Sequence, residues 1–418
     1  MLVVKLKGGA LYVSIIISIL VSIILSLFIL IAYFNLKSVQ SQASLSQLQL
    51  SLESGFEIAK SEYFSSFNEG SWQKMSYNND SVIVRKTPWG CFTLIDVKAK
   101  NTHFKIQQTG LFGCNAFRDT ALMIADQNRP VSLAGKIKFN GYCYLPKVGV
   151  QSAYIEGTTF SDLNSVREFI KPSPSYIPSL DPTYLKDIEF IQNQLNTYSD
   201  SLLSFIPDNL NQSFKHKTTV IQQGSILLSN VKLSNNIKLI AANSIIVENN
   251  CELNNVLLIA RKIIFKTKFK GNVHVIAKDS IITEDNCEFN YPSSFCVYSN
   301  APSKTENPSI RGIFFGKECK FKGGLLAAND KLELSKMMIK VNSKFELIGN
   351  LYSSNYAEVQ GNLYGSIFCQ TLLLQTPSGI YENHLLNCNI NPKKYNTHLV
   401  VPDWFSQKEK KYVCAQWF

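Results

Sequence analysis

Charge is scarce in this 418-residue chain: Asp, Glu, Lys and Arg together make up 17%, against roughly 25% in an average soluble protein. Part of the 45% that is hydrophobic therefore belongs somewhere other than a water-rimmed core. Glycine (21) and proline (14) are too few for a collagen-like or low-complexity chain. Ten cysteines fall far below the density of a disulfide scaffold, and no two stand as Cys-x-x-Cys, which argues against a zinc ribbon or a thioredoxin-type centre. His103, His216, His274, His384 and His398 are isolated from one another, so no metal motif is present and no cofactor is indicated. The 42 basic and 31 acidic residues give +11, yet the lysines are scattered, which argues against a nucleic-acid-binding face.

What is abundant is concentrated at the N-terminus. Residues 10–34 read ALYVSIIISILVSIILSLFILIAYF, without a charge between Lys7 and Lys37. As a helix these positions extend roughly 37 Å, enough to cross a hydrocarbon core of about 30 Å. Asn35-Leu36-Lys37 follows rather than a small-residue cleavage site, unlike a secretory signal. Lys5 and Lys7 before the span put the N-terminus in the cytoplasm by the positive-inside rule and the remainder on the other side. Ala10, Ser14, Ser18, Ser22 and Ser26 recur every fourth residue, a stripe of small side chains along which another helix can approach; back-bonding of each serine to its own helix is the competing reading.

The leader Met1-Leu2-Val3-Val4-Lys5-Leu6-Lys7-Gly8-Gly9 is short, basic and ends in glycines just before the apolar helix. It resembles the leader of type IV pilin-like proteins. That resemblance implies cleavage by a prepilin peptidase after Gly9, leaving Ala10 first, or after Gly8. Ala43, Leu45, Leu48, Leu52, Gly55, Phe56, Ala59 and Tyr63 recur at helical spacing, similar to the amphipathic stem with which pilins pack into filaments. Ser14 stands where the family carries its usual glutamate, a departure shared by minor pseudopilins of PilX-like and K-type character. A signal anchor that is never processed is the alternative.

Beyond the stem, residues 81–87 and 91–98 alternate as strands around Pro88-Trp89-Gly90, which predicts a hairpin, and residues 101–108 add a strand. Residues 130–141 have short apolar runs broken by Gly and Asn, the texture of solenoid turns. Pro172, Pro174, Pro178 and Pro182 then punctuate a loop, and Asp181-Pro182 opens a helix. Leu185, Ile188, Ile191, Leu195, Tyr198 and Leu202 give that helix an apolar face.

From Thr218 to about Cys388 the sequence repeats. Leu239-Ile240-Ala241, Leu258-Ile259-Ala260 and Val275-Ile276-Ala277 are each followed by a doublet, Ile245-Ile246, Ile263-Ile264 and Ile281-Ile282. The motif around Cys251 returns around Cys287, with Phe269 midway, and residues 325–329 echo 239–243. A period of about 18 residues predicts a stack of short parallel strands with Cys251, Phe269 and Cys287 in one interior row. The texture resembles bactofilin-type β-helices; a flat sandwich is the structural competitor.

The expected fold is thus mainly β: a single-stranded parallel β-helix head behind a transmembrane helix that continues into an amphipathic stem. The segments are a leader (1–9), span (10–36), stem (37–70), small pilin-like sheet (71–128), first β-helix turns (129–160), helical insertion (161–216), β-helix (217–390) and aromatic, lysine-rich tail (391–418). The tail, with Tyr395, Trp404, Phe405, Tyr412, Trp417 and Phe418, is read as an end cap, the alternative being an exposed hook for a partner. Cys91, Cys114 and Cys143 are candidates for pairing in an oxidising compartment, and Cys388 with Cys414 for a staple; Cys251, Cys287, Cys319 and Cys369 read as interior apolar residues.

No catalytic residue is marked. Asp279 and Asp285 with Lys278 and Arg261 come nearest to a polysaccharide-cleaving set, and Lys262, Lys266, Lys268 and Lys270 read as a solvated strand face. The expected function is a non-enzymatic component of a bacterial type IV pilus or secretion pseudopilus, in the inner membrane with its head outside. Its partners would be other pilin-like subunits through residues 10–65, with Ser14, Ser18, Ser22 and Ser26 at the helix contact. The alternative is a membrane-anchored scaffold whose β-helix binds cell-wall glycan or an envelope protein, and a polysaccharide-acting enzyme is a third class.

Overall fold

A computed structural model describes residues 9–61, 71–77, 80–115, 117, 119–193, 202–203, 205–299, 311–329, 336–394, 399–405 and 412–418. The chain is mainly β with an N-terminal apolar helix and divides into two compact units.

The smaller unit comprises residues 1–57, 73–84 and 97–107. Its helix, Gly9–Lys60, is unbroken over 52 residues. Side chains through Phe34 are exposed all round, as expected of a segment whose apolar residues are not confined to one stripe. Further along, Leu48, Ser51, Leu52, Gly55 and Phe56 are buried, the i, i+3, i+4, i+7, i+8 stripe of a helix lying on a surface. A glycine there permits close approach: a Cβ on Gly55 would lie 2.6 Å from Val97 Cγ1 and 2.9 Å from Val82 Cγ1. Ala43 and Leu45, expected on this face, are exposed; Ser44, one step round the helix, accepts a 3.0 Å hydrogen bond from Asn101 Nδ2 instead. Tyr63 lies outside the described residues. Strands Gln73–Tyr77 and Asp80–Trp89 pair antiparallel from Gln73↔Val84 to Tyr77↔Asp80.

The larger unit holds most of the chain beyond residue 108 together with residues 58–72 and 85–96. Its strands pair overwhelmingly in parallel with partners one repeat away. Leu239 faces Leu258, Leu258 faces Val275, and the paired doublets Ile245-Ile246, Ile263-Ile264 and Ile281-Ile282 stack likewise. One interior row runs Ile221, Leu239, Leu258, Val275, Phe295, Leu325, Leu351, Ile367, Leu122, Cys143, and every member is fully buried. The pairings among strands Lys270–Thr283, Glu288–Ser299, Lys320–Asn329, Glu346–Glu358, Met337–Lys340 and Arg311–Phe315 close a six-strand parallel ring.

A backbone device repeats with the strands. Asn230, Lys268, Asn286, Glu318 and Lys344 all have left-handed φ between 55° and 68°, and each precedes a buried residue, Val231, Phe269, Cys287, Cys319 and Phe345. One left-handed residue turns the chain sharply and drives the next side chain inward. The row expected from Cys251, Phe269 and Cys287 is present, all three buried, and Cys319 continues it through Lys320 N–H donating to Cys287 O at 2.9 Å.

Two segments sit elsewhere than their order in the sequence suggests. Strands Thr120–Ile124 and Val131–Phe139 do not begin the stack; they pair in parallel with Ile367–Thr376 and His384–Ile390, its last strands in sequence. The tail therefore does not cap that side. Val400–Val401 and Val413–Trp417 instead pair antiparallel with Lys105–Asn115, and Trp404 and Phe405 are buried against Tyr352, with Phe405 also reaching Phe368. Tyr395 lies outside the described residues.

The displaced order explains the insertion. Having reached one end of the stack, the chain must return to the other. Pro178 O accepts from Tyr352 Oη at 3.1 Å, and Glu189 from Tyr298 Oη at 3.2 Å; Gln192 Nε2 donates to Ala277 O at 3.1 Å. The helix Pro182–Asn193 is one element of this return path, with Ile188 and Ile191 buried. Leu202 belongs to a strand paired with Val220 rather than to a helical face, and Leu195 and Tyr198 lie outside the described residues. Because this helix and the tail cover one flank, strands there bury both faces, which is why Val256–Ala260 is apolar without alternation.

The hairpin turn is tighter than the sequence suggests: Pro88 and Trp89 end a strand, and Gly90, at φ 62°, makes the turn.

Candidate functional site

The residues singled out for processing and membrane packing lie on the long helix. Gly9 is its first residue and Ala10 its second, both exposed; Gly8 lies outside the described residues. Ser14, Ser18, Ser22 and Ser26 are all exposed. Ser14 Oγ donates to Leu11 O at 2.9 Å, Ser22 Oγ to Ser18 O and Ser26 Oγ to Ser22 O at 2.8 Å. The hydroxyls of Ser14, Ser22 and Ser26 are thereby satisfied within the helix, and Ser18, Ser22 and Ser26 with Ile19, Ile23, Leu27 and Leu30 surround a shallow groove. A groove of this kind admits close helix packing without requiring a hydrogen bond across the contact.

The nearest approach to a carboxylate pair dissolves into structural contacts. Asp279 accepts from Arg261 Nε at 3.0 Å and lies 3.5 Å from Arg311 Nε. Asp285 accepts from Lys317 N–H at 2.7 Å, fixing a turn. Lys266 pairs with Glu284 at 2.7 Å and Lys270 with Glu288 at 3.6 Å, so this face is a ladder of ion pairs between neighbouring strands. Among the described residues no cluster of His, Cys, Asp and Glu suits a metal ion.

Chemistry-bearing side chains that sequence spacing did not associate meet in the core. Cys91 N–H donates to Ser294 Oγ at 3.1 Å, and the same oxygen lies 2.9 Å from His274 Nδ1. Cys296 is beside Cys91; burial pushes the Cys296 thiol and the Tyr184 phenol well above their ordinary values. Burial alone drives the His274 imidazole down to about 3. His274 and Cys296 are fully buried and Cys91 nearly so, so the group has no route to a substrate and acts as a polar rivet. All ten cysteines are free thiols: Cys91, Cys114 and Cys143 are not bridged, and the staple expected between Cys388 and Cys414 is absent, Cys414 being paired through its backbone with Phe112.

An asparagine ladder is the feature sequence reading overlooked. Asn235 Nδ2 donates to Asn211 Oδ1 at 2.8 Å, Asn255 Nδ2 to Asn235 Oδ1 at 3.4 Å and Asn272 Nδ2 to Asn255 Oδ1 at 3.0 Å. Asn235 and Asn255 have left-handed φ of 71° and 55°, a conformation asparagine tolerates. The signal was there as asparagines recurring at close to the strand repeat. The ladder asparagines line an open groove of about 530 Å³ together with Tyr291, Pro292 and Gln416.

The chain matches no protein-family profile, no curated protein and no solved structure.

Proposed function

We propose that this protein is a non-enzymatic, pilin-like structural subunit, anchored by its N-terminal helix and carrying a single-stranded parallel β-helix beyond the membrane. The observation that carries the reading is the continuous helix Gly9–Lys60. Its first half is apolar and exposed; its second buries a narrow stripe that includes Gly55, tight against Val82 and Val97 of its own unit. An anchor alone needs only the first half; a buried stem in the same unbroken rod is what filament packing uses. Lys5 and Lys7 favour a cytoplasmic N-terminus.

The β-helix reading is supported by the parallel one-repeat register and by the recurring left-handed corner. The six-strand ring is compatible with it, because Lys270–Thr283 pairs with one strand through residues 270–277 and with another through 280–283. One long strand that bends supplies two sides of a coil.

N-terminal sequencing of the membrane-extracted protein tests the proposal. A mature chain starting at Ala10 or Gly9 supports it, and an intact Met1 refutes processing. In that event the second reading stands: a membrane-anchored envelope scaffold, which the internally satisfied serines and Ser14 in place of a glutamate favour. Changing Ser18, Ser22 and Ser26 to leucine should abolish co-purification of partner subunits if the stripe packs helices.

A further inference from the structure

The face of the long helix that lies on the sheet opens into a groove as it nears the membrane. Ser51, Leu48 and Ser44 share one stripe of Gly9–Lys60, and at steps of three or four residues that stripe continues through Gln40 and Lys37 to Tyr33. Leu48 and Ser51 are buried, whereas every side chain from Ser41 back to Tyr33 is exposed. Beside this stretch the chain turns between strands Phe92–Lys100 and Lys105–Asn115. Asn101 holds the turn to the helix and to itself: its Nδ2 donates to Ser44 Oγ at 3.0 Å, and its Oδ1 accepts from His103 N–H at 3.0 Å and Phe104 N–H at 2.7 Å. Tyr33, Lys37, Gln40 and Ser44 on the helix, with His103 and Phe104 on the turn, line an open groove of about 730 Å³.

Depth and charge define what fits there. Lys37 follows Phe34, the last residue of the apolar run, by one helical turn, which places it about 4.5 Å beyond the hydrocarbon edge, within the polar layer of about 5–7 Å on each side of the core. Lipid phosphates occupy that layer. No Asp or Glu occurs before Glu53 or between Asp96 and Asp119, while Lys37, Lys100, His103 and Lys105 are all exposed. Among the described residues none of these three lysines is ion-paired. Lys37 offers an ammonium and His103 a ring N–H to phosphate oxygens, and Tyr33 and Phe104 add aromatic surface of the kind that borders membranes. A second copy of the helix suits the groove less well, because along the same stretch it brings another Lys37 and no carboxylate before Glu53. We propose that this groove seats the headgroup of an anionic phospholipid from the leaflet in which the helix emerges, its phosphate held by Lys37 and His103 and its acyl chains running past Tyr33 along the apolar span. The inference rests on the helix being a membrane anchor, as proposed above, and is independent of whether the leader is processed.

The full chain in lauryldimethylamine oxide micelles is titrated with phosphatidylglycerol, phosphatidylcholine or glycerol 3-phosphate, and the bound species are counted by native mass spectrometry. In parallel the chain is reconstituted into phosphatidylcholine vesicles and washed with alkaline carbonate, which reports the anchor without the anionic lipid. Phosphatidylglycerol should bind about fivefold or more tightly than phosphatidylcholine, and glycerol 3-phosphate should not bind at the same concentrations. Lys37→Gln should weaken phosphatidylglycerol binding about fivefold, and Lys37→Gln with His103→Ala should abolish the preference. Lys136→Gln, the same loss of charge in the larger unit, should change nothing. Equal affinity for the two lipids overturns the proposal, as does a preference that the double variant retains or that Lys136→Gln removes equally. Binding of glycerol 3-phosphate would make the site one for soluble phosphate, and a dimer that excludes the lipid would assign the groove to a second copy; either result also overturns it. Release of the unaltered chain by carbonate would refute the anchor itself, and this site with it, so the two failures are told apart.

Discussion

Replacing Gly349 by alanine tests the stacked backbone directly. Gly323 and Gly349 face each other across parallel strands, and Gly365, between strands Gly361–Tyr364 and Ile367–Thr376, lies against Gly349. A Cβ on Gly349 would lie 1.7 Å from Gly323 O, one on Gly323 1.8 Å from Ser293 O, and one on Gly365 1.6 Å from Gly349 O. Ordinary contact begins at 3.4 Å, so a methyl group sits at half the tolerable distance from a carbonyl that cannot rotate away. The backbone φ of 141° at Gly349 adds strain for any L side chain. Relief requires a shift of the main chain in a fully hydrogen-bonded strand, and the expected cost is about 3–5 kcal/mol. Gly224→Ala is the control: a Cβ there meets nothing within 4 Å, and the change should be neutral or stabilising by less than about 1 kcal/mol. Guanidinium unfolding followed by tryptophan fluorescence measures both. Equal midpoints for the two variants would refute the register between these strands.

Acid should weaken the larger unit through His274. Its imidazole is held neutral in the fold, with the pKa down at about 3 because of burial, while the unfolded chain titrates near 6.5. Stability is therefore intact above pH 6.5 and lost as pH falls toward 3, by about 2 kcal/mol at pH 5; His274→Gln should remove that share of the slope, and an identical pH profile in the variant would contradict the assignment. In the smaller unit, Gly55→Val should loosen the helix from its sheet, since even a Cβ crowds Val97 and Val82. Faster proteolysis of the stem in the variant is the expected readout, and unchanged resistance would count against the packing.

The parts of the fold legible in the sequence are those where one residue type repeats in one environment. The Leu-Ile-Ala triplets and isoleucine doublets align position for position because a stacked interior demands the same small range of shapes at each level. The buried part of the stem was legible at Leu48, Leu52, Gly55 and Phe56 and misjudged at Ala43 and Leu45, because apolar identity alone does not fix the helix phase. The placement of strands Thr120–Ile124 and Val131–Phe139 was not legible: their pairing with Ile367–Thr376 and His384–Ile390 depends on complementary strand edges, which leave no local mark. The core group of Cys91, His274, Ser294 and Cys296 was hidden for the same reason. The asparagine ladder was readable in its spacing, but the bonds that join its members are a three-dimensional fact.

The displaced strands also dictate an order of assembly. Neighbouring levels such as Leu239 and Leu258 close loops of about 18 residues, whereas Ile367 and Leu122 close one of about 245. The longer closure costs about 2 kcal/mol more in chain entropy if attempted first. Once strands 219–390 have stacked, the effective loop is shortened and Thr120–Ile124 meets a completed edge at Ile367–Thr376. The stack should therefore grow through its central levels, with residues 120–145 docking last. Pulse-labelled hydrogen exchange during refolding in micelles should show amides of 239–282 protected before those of 120–145. Simultaneous or reversed protection would mean that the far edge nucleates independently, and that the loop-closure argument does not govern this fold.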